Sequence, residues 1–109
     1  MIFKIVGYVI DAVDNKLKIS INQDYQEKFK NVLNKLYKNN NKDYTEITVS
    51  IKKAIVNMDR FSYSEIYDLI GIEISLICYS QYYCFCTNQE KKEYVKGFTF
   101  HASKIQNIL

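Results

Sequence analysis

Within fifteen residues of the last third of the sequence, Tyr82, Tyr83, Phe85 and Tyr94 are interleaved with Lys91, Lys92 and Lys96, and Tyr79 opens the same run. Aromatic rings are platforms on which unpaired bases stack, each stack contributing about 1–3 kcal/mol, and ammonium groups neutralise the phosphates between them. The run therefore carries both components of a surface for single-stranded nucleic acid. The competing structural reading is that alternate aromatic residues form ordinary core and cross-strand pairs while the lysines decorate a turn. The other tyrosines do not all call for a function: Tyr8, Tyr25, Tyr37 and Tyr67 read as packing residues, because tyrosine favours half-buried strand positions.

The residue types that carry catalysis are sparse. His101 is the only histidine, and on a strand its side chain would share a side with Thr99 and Ser103, opposite Phe98, Phe100 and Ala102. No carboxylate pair stands out, the three glycines form no phosphate-cradling loop, and no cysteine has an evident partner base. Sites assembled from distant residues remain open, but no enzyme and no cofactor are expected. Cys78, Cys84 and Cys86 are odd in number and confined to one quarter of the chain, so they cannot staple its distant parts. Cys84 and Cys86 with His101 make three candidate ligands where a closed structural zinc site takes four, so no metal is expected either.

Fifteen basic and twelve acidic residues give a net charge of +3, and its distribution says more than its size. Lys28, Lys30, Lys35, Lys38 and Lys42 fall in a stretch without acids, whereas Asp59, Glu65, Asp68 and Glu73 face only Arg60. Such polarity suits an oriented polyanion surface, though a solvated helix face would look the same. Arg60 is the only arginine, which argues against base readout in a duplex major groove, where the arginine fork is the usual reader of guanine.

These residues must be positioned by short elements. Ile2–Val13 is apolar and β-branched, Asp14-Asn15 is a turn signal, and 16–21 alternates with period two, so a β-hairpin is expected, with Gly7 marking a bulge, a bend or a close backbone approach. Tyr25, Phe29, Val32, Leu33, Leu36 and Tyr37 recur at helical intervals behind the capping pair Asp24 and Glu27, which predicts a helix over about 24–38. A strand follows over 44–56. The capping box Ser62/Glu65, with the staple Phe61/Ile66, predicts a short second helix over about 63–70, closed by Gly71. Strands over 72–85 and 94–105 complete one domain of 109 residues, mostly β with two helices, in the order β-β-α-β-α-β-β.

That order resembles the OB-fold, a five-stranded barrel, with an additional helix inserted at about 24–38. The segment Ser62-Tyr63-Ser64-Glu65-Ile66-Tyr67-Asp68-Leu69-Ile70-Gly71-Ile72-Glu73-Ile74 is similar to the junction that leads from the helix into strand four of many OB-folds. Lys96-Gly97-Phe98-Thr99-Phe100-His101-Ala102-Ser103-Lys104-Ile105 is similar to the closing strand of phage, viral and replication-type single-stranded DNA-binding proteins. The inserted helix departs from the bacterial members, and their acidic tail is not seen. Both helices lying on one face of an open antiparallel sheet is the alternative packing.

OB-folds bind on strands two and three and through their hairpin loops. The resemblance therefore implies contacts from Lys16, Lys18 and Ser20 on strand two, from Thr48, Ser50 and Lys52 on strand three, and from the hairpin residues Tyr79, Tyr82, Tyr83, Phe85, Lys91, Lys92, Tyr94 and Lys96. The expected partner is single-stranded DNA or RNA, with a role in replication, recombination or repair and a replication or host protein as a further partner. The alternative is a small protein-interaction module or inhibitor encoded by a phage or mobile element, and self-association through the tyrosine-rich hairpin is a third reading. No run approaches the ~20 apolar residues that span a bilayer and Met1–Val13 lacks a signal-peptide pattern, so the expected location is cytoplasmic, nuclear or a viral replication compartment, away from membranes.

Overall fold

Period-two alternation at the start of the chain produces two antiparallel strands, β1 (Ile2–Val13) and β2 (Lys16–Ile21). Asp14 and Asn15 join them with φ values of 51° and 66°, the left-handed pair that a two-residue hairpin turn needs and that Asp and Asn tolerate. The computed structural model describes residues 1–37, 45–51, 55–56 and 66–108. Within them follow α1 (Gln23–Leu36), β3 (Glu46–Ser50), the two-residue β4 (Ile55–Val56), one 3-10 turn (Ile66–Leu69), β5 (Glu73–Asn88) and β6 (Glu93–Ile108).

β1 is long enough to serve two neighbours. Its first half, Ile2 to Tyr8, pairs with Glu73–Tyr79 of β5, and its second half, from Gly7, pairs with β2 through an irregularity between Val9 and Asp11. Gly7 sits where the two pairings overlap, and a Cβ there would strike the Ser20 carbonyl oxygen and approach Ile19 Cγ2 to 2.8 Å. Its role is the close approach of another backbone.

The sheet closes on itself. β2 pairs with β3 and β5 with β6, all antiparallel, and β3 meets β6 in parallel at Ser50 and His101. Strands β1, β2, β3, β6 and β5 thus form a closed five-stranded barrel, and β4 continues along the same edge of β6 at Lys104 and Ile105. This architecture is compatible with an OB-fold-like domain. The open sheet with helices on one face is ruled out by the β3–β6 closure.

Inside the barrel, Ile5, Leu17, Ile19, Val49, Leu76 and Cys78 are fully buried, drawn from four of the five strands, with Ala102 and Ile105 from the fifth. α1 adds Phe29 and Leu33 to this core, and the Phe29 ring packs on Phe3 and Phe100 at centroid distances of 5.9 and 5.6 Å. The inserted helix therefore covers the barrel. Its N-cap is Asn22, which makes no side-chain capping bond; Asp24, expected as the cap, lies in the first turn, where its charge complements the helix dipole.

The expected second helix over 63–70 is corrected: Ile66–Leu69 is one 3-10 turn, and the capping residues Ser62 and Glu65 lie outside the described residues. The turn buries Leu69 and ends at Gly71 with φ 86°, whose N–H donates to the Val9 carbonyl at 2.7 Å. Directly after the turn the chain is tied to β1, which stops the turn from propagating forward.

β5 and β6 run on beyond the barrel as a two-stranded arm. No residue from Tyr79 to His101 is buried, the molecule extends 51 × 28 × 21 Å, and its radius of gyration is 15.3 Å. A compact domain of this length would have a radius of about 13 Å. At the tip, Asn88 Oδ1 accepts from the N–H groups of Glu90 and Lys91, an Asx turn that reverses the chain.

Candidate nucleic-acid interface

Strand alternation divides the arm into two faces. From Cys78 outward the pairing with β6 is regular to Cys86, and Cys78 and Ala102 point into the core. Their face continues through Phe100, then Tyr82 and Phe98, Cys84 and Lys96, and Cys86 and Tyr94. The opposite face, continuous with the barrel exterior, carries Tyr79 and His101, Gln81 and Thr99, Tyr83 and Gly97, and Phe85 and Val95.

The ring contacts follow this division. On the exterior face Tyr79 stacks on His101 at 5.1 Å and Tyr83 on Phe85 at 6.1 Å. Gly97 is what lets the Tyr83 ring lie across the arm, since a Cβ there would meet its hydroxyl at 2.7 Å. On the core-side face Phe98 takes the edges of Tyr37 and Tyr82 at 5.1 and 5.5 Å, and its N–H donates to the Tyr37 hydroxyl at 3.1 Å. Partial desolvation by neighbouring side chains and the adjacent Cys84 raise the Tyr82 phenol above its ordinary pKa.

The barrel closure extends the exterior face across the molecule. Lys16 is registered with Ser50, Ser50 with His101, and His101 with Tyr79, a row crossing β2, β3, β6 and β5. At about 4.8 Å per strand spacing the row is roughly 14 Å long. Lys18 and Thr48 lie one step along, and Thr99 Oγ1 and His101 Nε2 are 3.0 Å apart beside it. Of the residues expected to act together, the structure thus brings Lys16, Lys18, Tyr79, Tyr83 and Phe85 onto one surface. Tyr82, Tyr94 and Lys96 occupy the other face of the arm, Lys91 and Lys92 are in the tip turn, and Lys52 lies outside the described residues.

The electrostatics are more mixed than the lysines alone suggest. Lys91 and Lys92 are bracketed by Glu90 and Glu93, so the tip is locally neutral. Lys18 Nζ is 3.3 Å from Glu46 Oε2, an exposed pair of little energetic weight. A shallow depression around Lys16 and Lys18 is also lined by Asp11 and Asp14. At the edge of this face Tyr8 is held above its ordinary pKa by its hydrogen bond to Glu73 and the carboxylate's charge. Aromatic surface, rather than positive charge, is what distinguishes the site.

Sequence reasoning offered Ser50 as a strand-three position but did not place His101 in the site. The alternation already put His101 opposite Phe100, but its neighbour on β3 follows only from barrel closure. Among the described residues, no group of three or more His, Cys, Asp or Glu side chains is arranged to hold a metal ion, and no helix is long and apolar enough to cross a membrane. Family models, curated proteins and solved structures all yield no match to this chain.

Proposed function

We propose that this domain binds single-stranded nucleic acid, DNA in the first instance, on the exterior face that joins strands β2 and β3 to the β5–β6 arm, in the manner of an OB-fold. The observation that carries the reading is the alignment of two aromatic stacks, Tyr79 on His101 and Tyr83 on Phe85, in line with Lys16 across the barrel closure. Bases would stack on exposed ring faces, and Lys16 and Lys18 would take the flanking phosphates. With neutral pairs at the tip and at Lys18, stacking supplies most of the affinity. A role in replication, recombination or repair follows from such binding.

The test is a fluorescence titration with single-stranded and duplex oligonucleotides at several salt concentrations. Two or three neutralised phosphates give a slope of log K against log salt of about −1.4 to −2.1, shallow for a nucleic-acid-binding protein. Tyr83→Ala should weaken binding about tenfold or more, whereas Tyr94→Ala, on the other face, should change it little. Equal loss in both variants, or no binding to single strands, defeats the proposal.

A second reading, a protein-interaction module, is favoured by one observation: Tyr82, Phe85 and Tyr94 are each more than half exposed on an arm with no buried residue. Tyrosine-rich surfaces of this kind are enriched at protein interfaces. Recovery of a stoichiometric protein partner with no shift of labelled single strands would support it.

A further inference from the structure

The arm has two edges, and they are not equivalent. The β6 edge carries Glu93 and Lys96, its Phe98 N–H is taken by the Tyr37 hydroxyl, and nearer the barrel it pairs with β3 and β4. On the β5 edge, the Ser80 N–H donates outward to the Met1 carbonyl at 3.1 Å. By the period of the strand, Tyr82 and Cys84 direct their N–H and C=O groups to that same side. Among the described residues, β5 beyond Ser80 pairs with β6 alone.

Natural edge strands are usually protected by lysine, proline, a bulge or a short length. Ser80-Gln81-Tyr82-Tyr83-Cys84-Phe85-Cys86-Thr87-Asn88 has no charge and no proline over nine residues, and its one irregularity falls at the end, between Cys86 and Asn88. It also belongs to a two-stranded ribbon with no buried residue, an arrangement that is marginal in water until further strands join it.

We propose that this edge pairs, antiparallel, with the same edge of a second copy of the chain, about a two-fold axis at Cys84. The occupant is argued from charge. Self-pairing opposes each residue to one of the same segment, and an uncharged segment brings no like charges together, while an acidic or basic foreign strand finds nothing here to recognise. Centring the axis on Cys84 keeps the pairing within the uncharged segment, between Ser80, whose N–H is held by Met1, and the irregularity after Cys86. Tyr82 then opposes the partner's Cys86 and Tyr83 the partner's Phe85, the latter an aromatic cross-strand pair made twice on the exterior face. The result is a four-stranded ribbon, β6-β5 continued by the partner's β5-β6, carrying the aromatic stacks of both copies.

The exposed cysteines report the register. Within one strand, Cys84 and Cys86 are about 6.6 Å apart with parallel side chains, too far for a disulfide, whose Cβ atoms are about 3.8 Å apart. Across the axis, two Cys84 residues would form a hydrogen-bonded antiparallel pair with Cα atoms about 5.5 Å apart, within disulfide reach. The two Cys86 residues would lie about 13 Å apart, each opposite a tyrosine.

The experiment is done on the full chain without nucleic acid, so it succeeds or fails independently of the reading above. In reducing buffer, sedimentation over a hundredfold dilution series should show a species of twice the 12.9 kDa chain mass at the concentrated end. Cys84→Lys, which opposes two ammonium groups at the axis, should remain monomeric with an unchanged circular dichroism spectrum, while Tyr94→Lys on β6 should still dimerise. With diamide as oxidant, taking up the two electrons and two protons released as one S–S bond forms, Cys86→Ser should cross-link through Cys84, and Cys84→Ser should not. A monomeric wild-type chain, a dimeric Cys84→Lys variant, or equal cross-linking of the two serine variants overturns the proposal.

Discussion

The three cysteines illustrate how much a residue's chemistry depends on its side of a strand. Cys78 and Cys84 are both on the core-side face of β5, six residues apart, yet burial pushes the Cys78 thiol up to about 12, while Cys84 and Cys86 are exposed. Alkylation at neutral pH should therefore modify two of the three thiols in the native protein and the third only in denaturant, as mass spectrometry would register. The same burial links stability to pH. A thiol in the unfolded chain ionises near 8.5, so the favourable contribution of the neutral Cys78 is intact below that pH. It is lost as pH rises from there to about 12, at roughly 1.4 kcal/mol per unit, and denaturation measured across this range should show a decline that Cys78→Val flattens. The sequence revealed Cys78 as part of an alternating strand; its complete burial required a helix and four other strands to surround it.

Among the elements, the arm and the inserted helix depend on each other. α1 delivers Tyr37 from its C-terminal end to the open edge of β6, where the hydroxyl accepts the Phe98 N–H and the ring packs on Phe98. Tyr37→Phe should leave the ring contact and remove the bond, worth about 0.5–1.5 kcal/mol at most for an exposed pair. Hydrogen exchange should then show faster exchange at Phe98, with barrel amides unchanged; a uniform change across the barrel would mean that Tyr37 supports the global fold instead. Element existence was legible from periodicity, since the first hairpin, the long helix and both arm strands follow their apolar patterns. The second helix was misread because a capping box is a local preference, and Gly71 and Ile72, directly after the turn, are tied to Val9 of β1.

At the scale of the molecule, a closed barrel supplies the stability and the arm supplies the exposed surface. Leu76→Ala, at a fully buried site, should cost about 2–5 kcal/mol. Phe85→Ala, more than half exposed at the end of the exterior stack, should shift global stability by less than about 0.5 kcal/mol. Urea denaturation followed by circular dichroism would compare the two, and a comparable loss in both would show that the arm folds as part of the core.

What the sequence determined by itself was local: which segments are extended, which is helical, where the first hairpin turns, and which residues share a strand face. The division of Tyr82 from Tyr83 was present in that period, although grouping by proximity along the chain concealed it. Only the tertiary structure decided that Ser50 meets His101, and with it that Lys16 and Tyr79, sixty-three positions apart, share one exterior row. The reason is physical. Periodicity and turn preference act over a few residues, whereas barrel closure is set by hydrogen bonds between distant strands and by the burial of Val49, Leu76 and their neighbours against one another.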